Sequence, residues 1–420
     1  MFYVDKKLQK ILENKNKPIK QVKAYNGWDP LKQIILGNVM NPSFFDDVRD
    51  SKLRDLLQKL LYETQEDLDN FQQELEKAGV DVIRIPAGTL QDGRYVESMN
   101  QAMTDDVSWS NGGMPRPFIT PRDQFITLGE NLIYTEVTPG TARVINTLME
   151  DNKYFVYDSL SMFSFEKQMA IGSDPVTPKT IDAIPLGPFK WRDHNKPHPL
   201  ANDMFFKCIS TYCWDAPFVT RVGDTLVVDS EDKINVGPYL LKKFPEYKQV
   251  NHAIGGHNDG TFCPLKPGHI ITAAWHIDYS QTFPGWDVHV VQDDPNSKEK
   301  MYDRDMKKFQ ILRDQKKKID RTWWTPEAKS NEQFTKFVDK WLHQWTGWSV
   351  ESIFEVNSVV VGPDLVFFSN YNKGVFDYCE SIGITPHIVP FRHRHFWDGG
   401  LHCLTLDILR EGEMQNYFDG

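Results

Sequence analysis

Cysteine is scarce in this chain, and its scarcity excludes several readings. Cys208, Cys213, Cys263, Cys379 and Cys403 are an odd number among 420 residues and form no CxxC pair. No disulfide framework or paired-thiolate zinc site is therefore legible, and free thiols in a reducing cytoplasm are expected. No run approaches the roughly 18 apolar residues of a membrane span. The start, Met1-Phe2-Tyr3-Val4-Asp5-Lys6-Lys7, lacks the apolar centre of a secretory signal. Positive charge is also in deficit: the net charge of -10 gives no support to nucleic acid as a partner and favours small cations over anions. What remains is an ordinary globular composition, 40% hydrophobic, enough for a large core over this length.

One pattern recurs along the chain: a β-rich run, a turn holding Gly, Asn, Asp or Pro, and a second β-rich run. It occupies 125–134, 218–228, 261–272 and 358–368. β-Branched and aromatic residues flanking such turns are the signature of hairpins. A second unit follows some of them: an amphipathic helix, a Gly stop, a strand and a Pro. It is read at 68–86, where Ala78-Gly79 ends the helix, and at 375–390, where Gly383 does so. Recurrent ββαβ-like modules predict an α/β fold with radial repetition, propeller-like instead of one open sheet.

Three kinds of segment depart from the repeat. Residues 1–20 read as a polar arm, and 21–420 as a single domain. Gly, Pro, Asp and Asn concentrate near 86–118 and 150–200, and a Lys-rich stretch lies within 290–348, so long insertions are expected there.

Position within the repeat directs attention to particular residues. Asp123 precedes the first hairpin, Asp215 the second, and His257 and Asp259 the third, while Cys403 falls in the last β-like run. Radial modules bring equivalent positions to one axis, so these residues are expected to line one pocket. A thiol, a histidine and several carboxylates suit covalent chemistry on a planar cation such as a guanidinium. Two carboxylates, Asp123 and Asp259, can grip its edges through paired hydrogen bonds and leave its carbon open to attack. Cys403 is the candidate nucleophile, since a cation held beside it favours the thiolate. His257 is the candidate acid and base, and Asp215 its orienting partner. The competing roles are bland. Cys403 can be a small buried apolar residue, and His393, His395, His402 and Cys403 match no common closed zinc pattern. Arg392-His393-Arg394-His395 is either a basic loop over the pocket or an exposed run.

These motifs resemble the amidinotransferase family and, more widely, arginine deiminases and other guanidine-modifying enzymes. The matching runs are Ala24-Tyr25-Asn26-Gly27-Trp28-Asp29-Pro30-Leu31, Pro121-Arg122-Asp123, Trp214-Asp215-Ala216, His257-Asn258-Asp259-Gly260-Thr261-Phe262 and Gly399-Gly400-Leu401-His402-Cys403-Leu404-Thr405. The resemblance implies a five-bladed α/β propeller with pseudo-fivefold symmetry. It implies Cys403 as nucleophile, His257 as acid/base, Asp215 as its partner, and Asp123 and Asp259 as guanidinium ligands. It implies no cofactor and no metal, a small guanidino donor and an amine acceptor, and a homodimer as a possible assembly.

The chain departs from the family where the substrate's tail is recognised. Ala273-Ala274-Trp275-His276 replaces an Asn-Pro-Asp-Arg-like run, which makes His276 a candidate substrate contact. Gly256 replaces a bulky residue before the histidine, Val350-Glu351-Ser352 replaces paired serines before Asn357, and Asp215-Ala216-Pro217-Phe218 is one residue short. Three functions are therefore carried forward: amidino transfer, guanidine hydrolysis with the same residues, and a catalytically silent guanidino-compound binder.

Overall fold

The computed structural model describes residues 16–85, 118–135, 145, 148–150, 155–157, 216–229, 236–253, 257–273, 278–291, 331–334, 354–397 and 399–418. Fifteen strands run in chain order among them. The first eight are β1 (Leu31–Leu36), β2 (Asp81–Arg84), β3 (Phe125–Leu128), β4 (Asn131–Tyr134), β5 (Phe155–Tyr157), β6 (Val219–Val222), β7 (Thr225–Asp229) and β8 (Gln249–Ala253). The rest are β9 (Phe262–Lys266), β10 (His269–Thr272), β11 (Asp287–Val290), β12 (Val359–Gly362), β13 (Leu365–Phe368), β14 (Thr385–Ile388) and β15 (Thr405–Arg410).

They form five three-stranded sheets of one design. In each, an antiparallel hairpin is followed by a third strand parallel to its middle strand: β3-β4-β5, β6-β7-β8, β9-β10-β11 and β12-β13-β14. The four hairpins read from the sequence are all present. The fifth sheet is assembled from the two ends of the chain, for β15 pairs antiparallel with β1, which lies parallel to β2. No local pattern announces that pairing, because its partners lie more than 360 residues apart.

The parallel third strand needs a crossover, and helices supply it. Helix α1 (Ser51–Lys77) joins β1 to β2, α2 (Val236–Lys243) joins β7 to β8, and α3 (Lys373–Ser381) joins β13 to β14. α1 begins at Asp50, whose carboxylate accepts from the Leu53 N–H, and its stripe Leu53, Leu57, Leu60, Leu61, Leu68, Phe71 and Leu75 is buried. The sequence reading found only the last turns of this helix. At Gly223, between β6 and β7, φ is +66° and a Cβ would come within 1.9 Å of the Gln415 carbonyl, so only glycine fits that turn.

Of the expected arm at 1–20, the described part lies against the fold. Ile19 is fully buried and its N–H donates to the Leu148 carbonyl. The expected insertions near 86–118, 150–200 and 290–348 fall largely outside the described residues. Among the described residues no helix is long and apolar enough to cross a membrane.

β3, β6, β9, β12 and β15, one strand from each sheet, contribute to the wall of a single cavity. Ile126, Thr220, Cys263, Val360 and Arg410 represent them. Its volume is about 660 Å3 with its open mouth included. Asp407 of β15 gathers neighbouring sheets nearby: its carboxylate meets Arg122 at 2.8 Å, Arg221 of β6 at 2.5 Å and Arg410 at 2.8 Å.

Candidate active site

A short turn stands immediately before the first strand of each hairpin, and these turns carry the candidate residues. Pro121–Gln124 precedes β3 and holds Asp123. Ala216–Phe218 precedes β6. His257 opens the turn Asn258–Gly260, with Asp259 inside it, ahead of β9. Asn357 lies two residues before β12, and Cys403 two residues before β15. Cys403 is thus not in the last strand, as the sequence reading had it, but in the turn that leads into that strand. The strand pairing holds β15 from Thr405 onward, and the preceding turn frees the thiol to face its neighbours instead of a sheet partner.

Cys403 is buried, 1% exposed. Asn357, fully buried, fixes it by two hydrogen bonds: the side-chain N–H donates to Sγ at 2.9 Å, and Oδ1 accepts from the Cys403 backbone N–H at 3.0 Å. The same Asn357 Nδ2 donates to the Asp259 carbonyl at 3.1 Å. One amide therefore joins the Cys403 thiol to the turn that holds Asp259, and a donor aimed at sulfur stabilises negative charge there. Gly400 makes this approach possible, since a Cβ at that position would sit 2.7 Å from the Asn357 Cβ.

Asp259 closes the arrangement. Its Oδ2 lies 3.4 Å from Cys403 Sγ and 2.8 Å from His402 Nδ1. Oδ1 is buried with no hydrogen-bond partner among the described residues. Burial pushes this carboxyl up, but the hydrogen bond from His402, with the charges of His402, His257 and Arg122, outweighs burial and brings it to about 2. His402 does not gain correspondingly. Burial and the nearby Arg122 guanidinium hold it below its usual value despite Asp259. A neutral His402 donating from Nδ1 to an ionised Asp259 satisfies both directions. The result is a buried carboxylate with one oxygen held and the other available to a cation.

The remaining described candidates stand in adjoining turns. The turn with Asp123 packs against Ala216–Phe218, which packs against Asn258–Gly260. Arg122 ties the Asp123 turn to the strand after Cys403 by donating from Nε to the Thr405 carbonyl at 3.0 Å. A Cβ built on Gly399 would lie 3.6 Å from Thr120 and 3.8 Å from Cys403 Sγ, so the start of that turn borders the thiol. The His257 ring stands edge-on to Phe218, centroids 5.0 Å apart and planes at 86°. Its backbone carbonyl accepts from Thr261 Oγ1 at 2.8 Å. Asp215, Gly256 and His276 lie outside the described residues.

Two residues here were not read as functional from sequence. Asn357 has no titratable group, yet it occupies the position before a hairpin that singled out Asp123 and Asp259. His402 was weighed only as a metal ligand. Arg392 and His393, left between a pocket loop and an exposed run, instead bind the acidic face of α1. Arg392 Nε meets Asp67 Oδ1 at 2.8 Å and His393 Nε2 meets Glu63 Oε2 at 2.7 Å. They anchor the segment that leads to Cys403.

Comparison with known proteins gives a consistent picture. No family model matches the chain. It is 22% identical over 422 residues to inosamine-phosphate amidinotransferase 1 of Streptomyces glaucescens, covering 94% of this chain and 99% of that protein. Among solved structures it is similar to SxtG, an amidinotransferase from Microseira wollei in the saxitoxin biosynthetic pathway. The TM-score is 0.50 and the identity 17%, over 94% of this chain and 99% of the other. It is likewise similar to the inosamine-phosphate amidinotransferase StrB1 of Streptomyces griseus, with TM-score 0.50 and 18% identity over the same shares. These structural likenesses show an α/β fold in common. The resemblance to amidinotransferases, first carried by short motifs, thus extends over nearly the whole chain.

Proposed function

We propose that this chain is an amidinotransferase that moves an amidino group from arginine, or an arginine-like guanidino donor, to an amine through a covalent amidino-cysteine. The observation that carries the proposal is the placement of Cys403 Sγ between the Asn357 side-chain N–H and a buried, ionised Asp259. A carboxylate that burial alone would neutralise is kept charged beside a thiol, which suits a site built to receive a cation. The five like sheets are arranged radially in this reading, as blades of a propeller, with the turns before their first strands converging on the substrate. The protein acts in the cytoplasm on small molecules.

The donor's guanidinium lies between Asp123 and Asp259, taking a hydrogen bond acceptor in Asp259 Oδ1. Its charge replaces the thiol proton beside Asp259 Oδ2, and that proton is released to water. Cys403 Sγ then bonds to the guanidinium carbon, and the C=N electron pair moves onto nitrogen. His257, oriented by Asp215, protonates the departing amine as its C–N bond breaks, leaving an amidino group on sulfur. In the second half, the acceptor amine attacks the same carbon, gives its proton to His257, and the C–S bond breaks to restore the thiolate. Gly256 and His276 border the tail of the substrate.

Product analysis tests this reading. With arginine as donor, transfer releases ornithine catalytically only when an acceptor amine is present, and hydroxylamine as a surrogate acceptor yields hydroxyguanidine. Sustained citrulline and ammonia in buffer alone would instead make the chain a guanidine hydrolase. Binding of guanidino compounds without either product would make it a silent binder.

A further inference from the structure

The turn that carries Cys403 contains Gly399 and Gly400, and glycine leaves a backbone free to take several paths. The place of the thiol therefore depends on what fixes the two ends of the turn. Downstream, Thr405 enters β15 and pairs with Leu36 of β1. Upstream stands Trp397, at the end of the short helical turn Arg394–Trp397. Its backbone N–H donates to the His393 carbonyl at 3.0 Å, and the Gly399 N–H donates to the Arg394 carbonyl at 3.2 Å.

Trp397 is held by a helix that contributes nothing to the described cavity wall. Its indole Nε1 donates to Thr64 Oγ1 of α1 at 2.9 Å, and the two residues are 1% and 0% exposed. The Thr64 hydroxyl gives its own proton to the Leu60 carbonyl at 2.7 Å, so its oxygen is the acceptor for the indole. A buried hydroxyl and a buried indole N–H each cost stability when left unpaired, and here one contact satisfies both. Neighbouring positions on α1 hold the same segment: Glu63 Oε2 meets His393 Nε2 at 2.7 Å, and Asp67 Oδ2 accepts from the Arg392 backbone N–H at 2.7 Å. Of these contacts, the one between Thr64 and Trp397 is the nearest to Cys403 along the chain. Beyond it the turn has no slack, since a Cβ on Gly400 would lie 2.7 Å from the Asn357 Cβ. A shift of the upstream end therefore reaches the pairing of Cys403 with Asn357.

We propose that Thr64 is a positioning residue for Cys403: by holding the Trp397 indole it fixes the upstream end of the turn and keeps the thiol against the Asn357 amide. The proposal rests on the reading of Cys403 as the nucleophile. Thr64 touches no substrate and acts only through Trp397 and the turn that follows it.

Thr64→Val keeps the shape of the side chain and removes the hydroxyl, whereas Thr64→Ser keeps the hydroxyl. Two measurements on the full chain read the result. The first is labelling of Cys403 by 2-chloroacetamidine, a small amidinium alkylating agent whose carbon bonds to sulfur as chloride leaves. It needs no turnover. The second is kcat and KM for a guanidino donor with hydroxylamine as acceptor. Thr64→Val should lower the labelling rate and kcat about tenfold with KM within about twofold, and Thr64→Ser should restore most of both rates. Trp397→Phe removes the same hydrogen bond from the other side, should repeat the loss, and stands in for Thr64→Val should that variant not fold. Leu240→Ala, buried in a different hydrophobic cluster on α2, should lower stability and leave both rates per folded molecule unchanged. Parent rates in the folded Thr64→Val and Trp397→Phe variants would overturn the inference. So would no recovery in Thr64→Ser, or an equal loss in Leu240→Ala. Labelling of Cys403 without any transferred product would sink the transfer reading alone, and a parent unlabelled at Cys403 would sink both.

Discussion

Two buried carboxylates, Asp407 and Asp259, show how differently the fold holds the same group. Asp407 has both oxygens engaged by fixed cations: Arg122 on Oδ1, Arg221 and Arg410 on Oδ2. Burial pushes its carboxyl up, but the three guanidinium groups hold it well below the usual range. Asp259 has one neutral histidine on Oδ2 and an Oδ1 with no hydrogen-bond partner among the described residues. Asp407 is compensated by three fixed guanidinium groups and Asp259 by one histidine at hydrogen-bond distance, while Oδ1 of each makes no hydrogen bond among the described residues. The cost of burying Asp259 is outweighed by His402, His257 and Arg122 together, which hold the carboxylate ionised.

The sharpest break in the comparison lies at the thiol that Asp259 borders. Cys403→Ser should fold normally and lose turnover by about four to six orders of magnitude, because serine is neither as nucleophilic nor as good a leaving group. Asp407→Asn should do the opposite. It leaves three buried guanidinium groups short of a counter-charge and should cost about 3–5 kcal/mol in denaturant unfolding. A variant that melts like the parent would show that the cluster is held by its carbonyl acceptors instead.

Asp259→Asn should weaken donor binding by about 2–4 kcal/mol, read by calorimetry. It should cost about 2 kcal/mol of stability, since the carboxyl falls from its ordinary value to about 2 on folding. The sign is set by that depression. The ionised form is favoured by folding, so the contribution is complete above about pH 4 and disappears as pH falls towards 2. The gap between parent and variant should therefore close over that interval in acid titrations. Asn357→Ala should lower kcat about 10- to 100-fold with a smaller change in KM, through loss of the hydrogen bonds that seat Cys403. The smallest effect is expected at Arg392→Gln, about 1 kcal/mol in stability, because its half-exposed ion pairs with Glu66 and Asp67 are screened by solvent.

Much of this arrangement was legible in the chain. The hairpins were, because β-branched runs around a glycine turn need only local information, as at Val219–Val222, Gly223 and Thr225–Asp229. The position of Asp123, His257 and Asp259 ahead of hairpins was also legible, and the structure places all three in the turns that precede β3 and β9. The fifth sheet was not, since β1 and β15 show no partner until the chain closes on itself. That omission placed Cys403 in a strand, when the same rule would have put it in the turn before one. Asn357 escaped for a different reason: its contribution is a geometry, two hydrogen bonds to one cysteine, and nothing in a single neutral amide signals it. His402 is similar, a histidine whose partner lies 143 positions away.

The central claim is that Cys403 carries the amidino group, and acid quench followed by peptide mass spectrometry tests it most directly. After brief incubation with arginine or another guanidino donor and no acceptor, the peptide containing Cys403 should gain the mass of one amidino group. The gain should vanish when hydroxylamine is added before the quench. An adduct on Cys208, Cys213, Cys263 or Cys379, or turnover with no adduct on any cysteine at any quench time, would contradict the account.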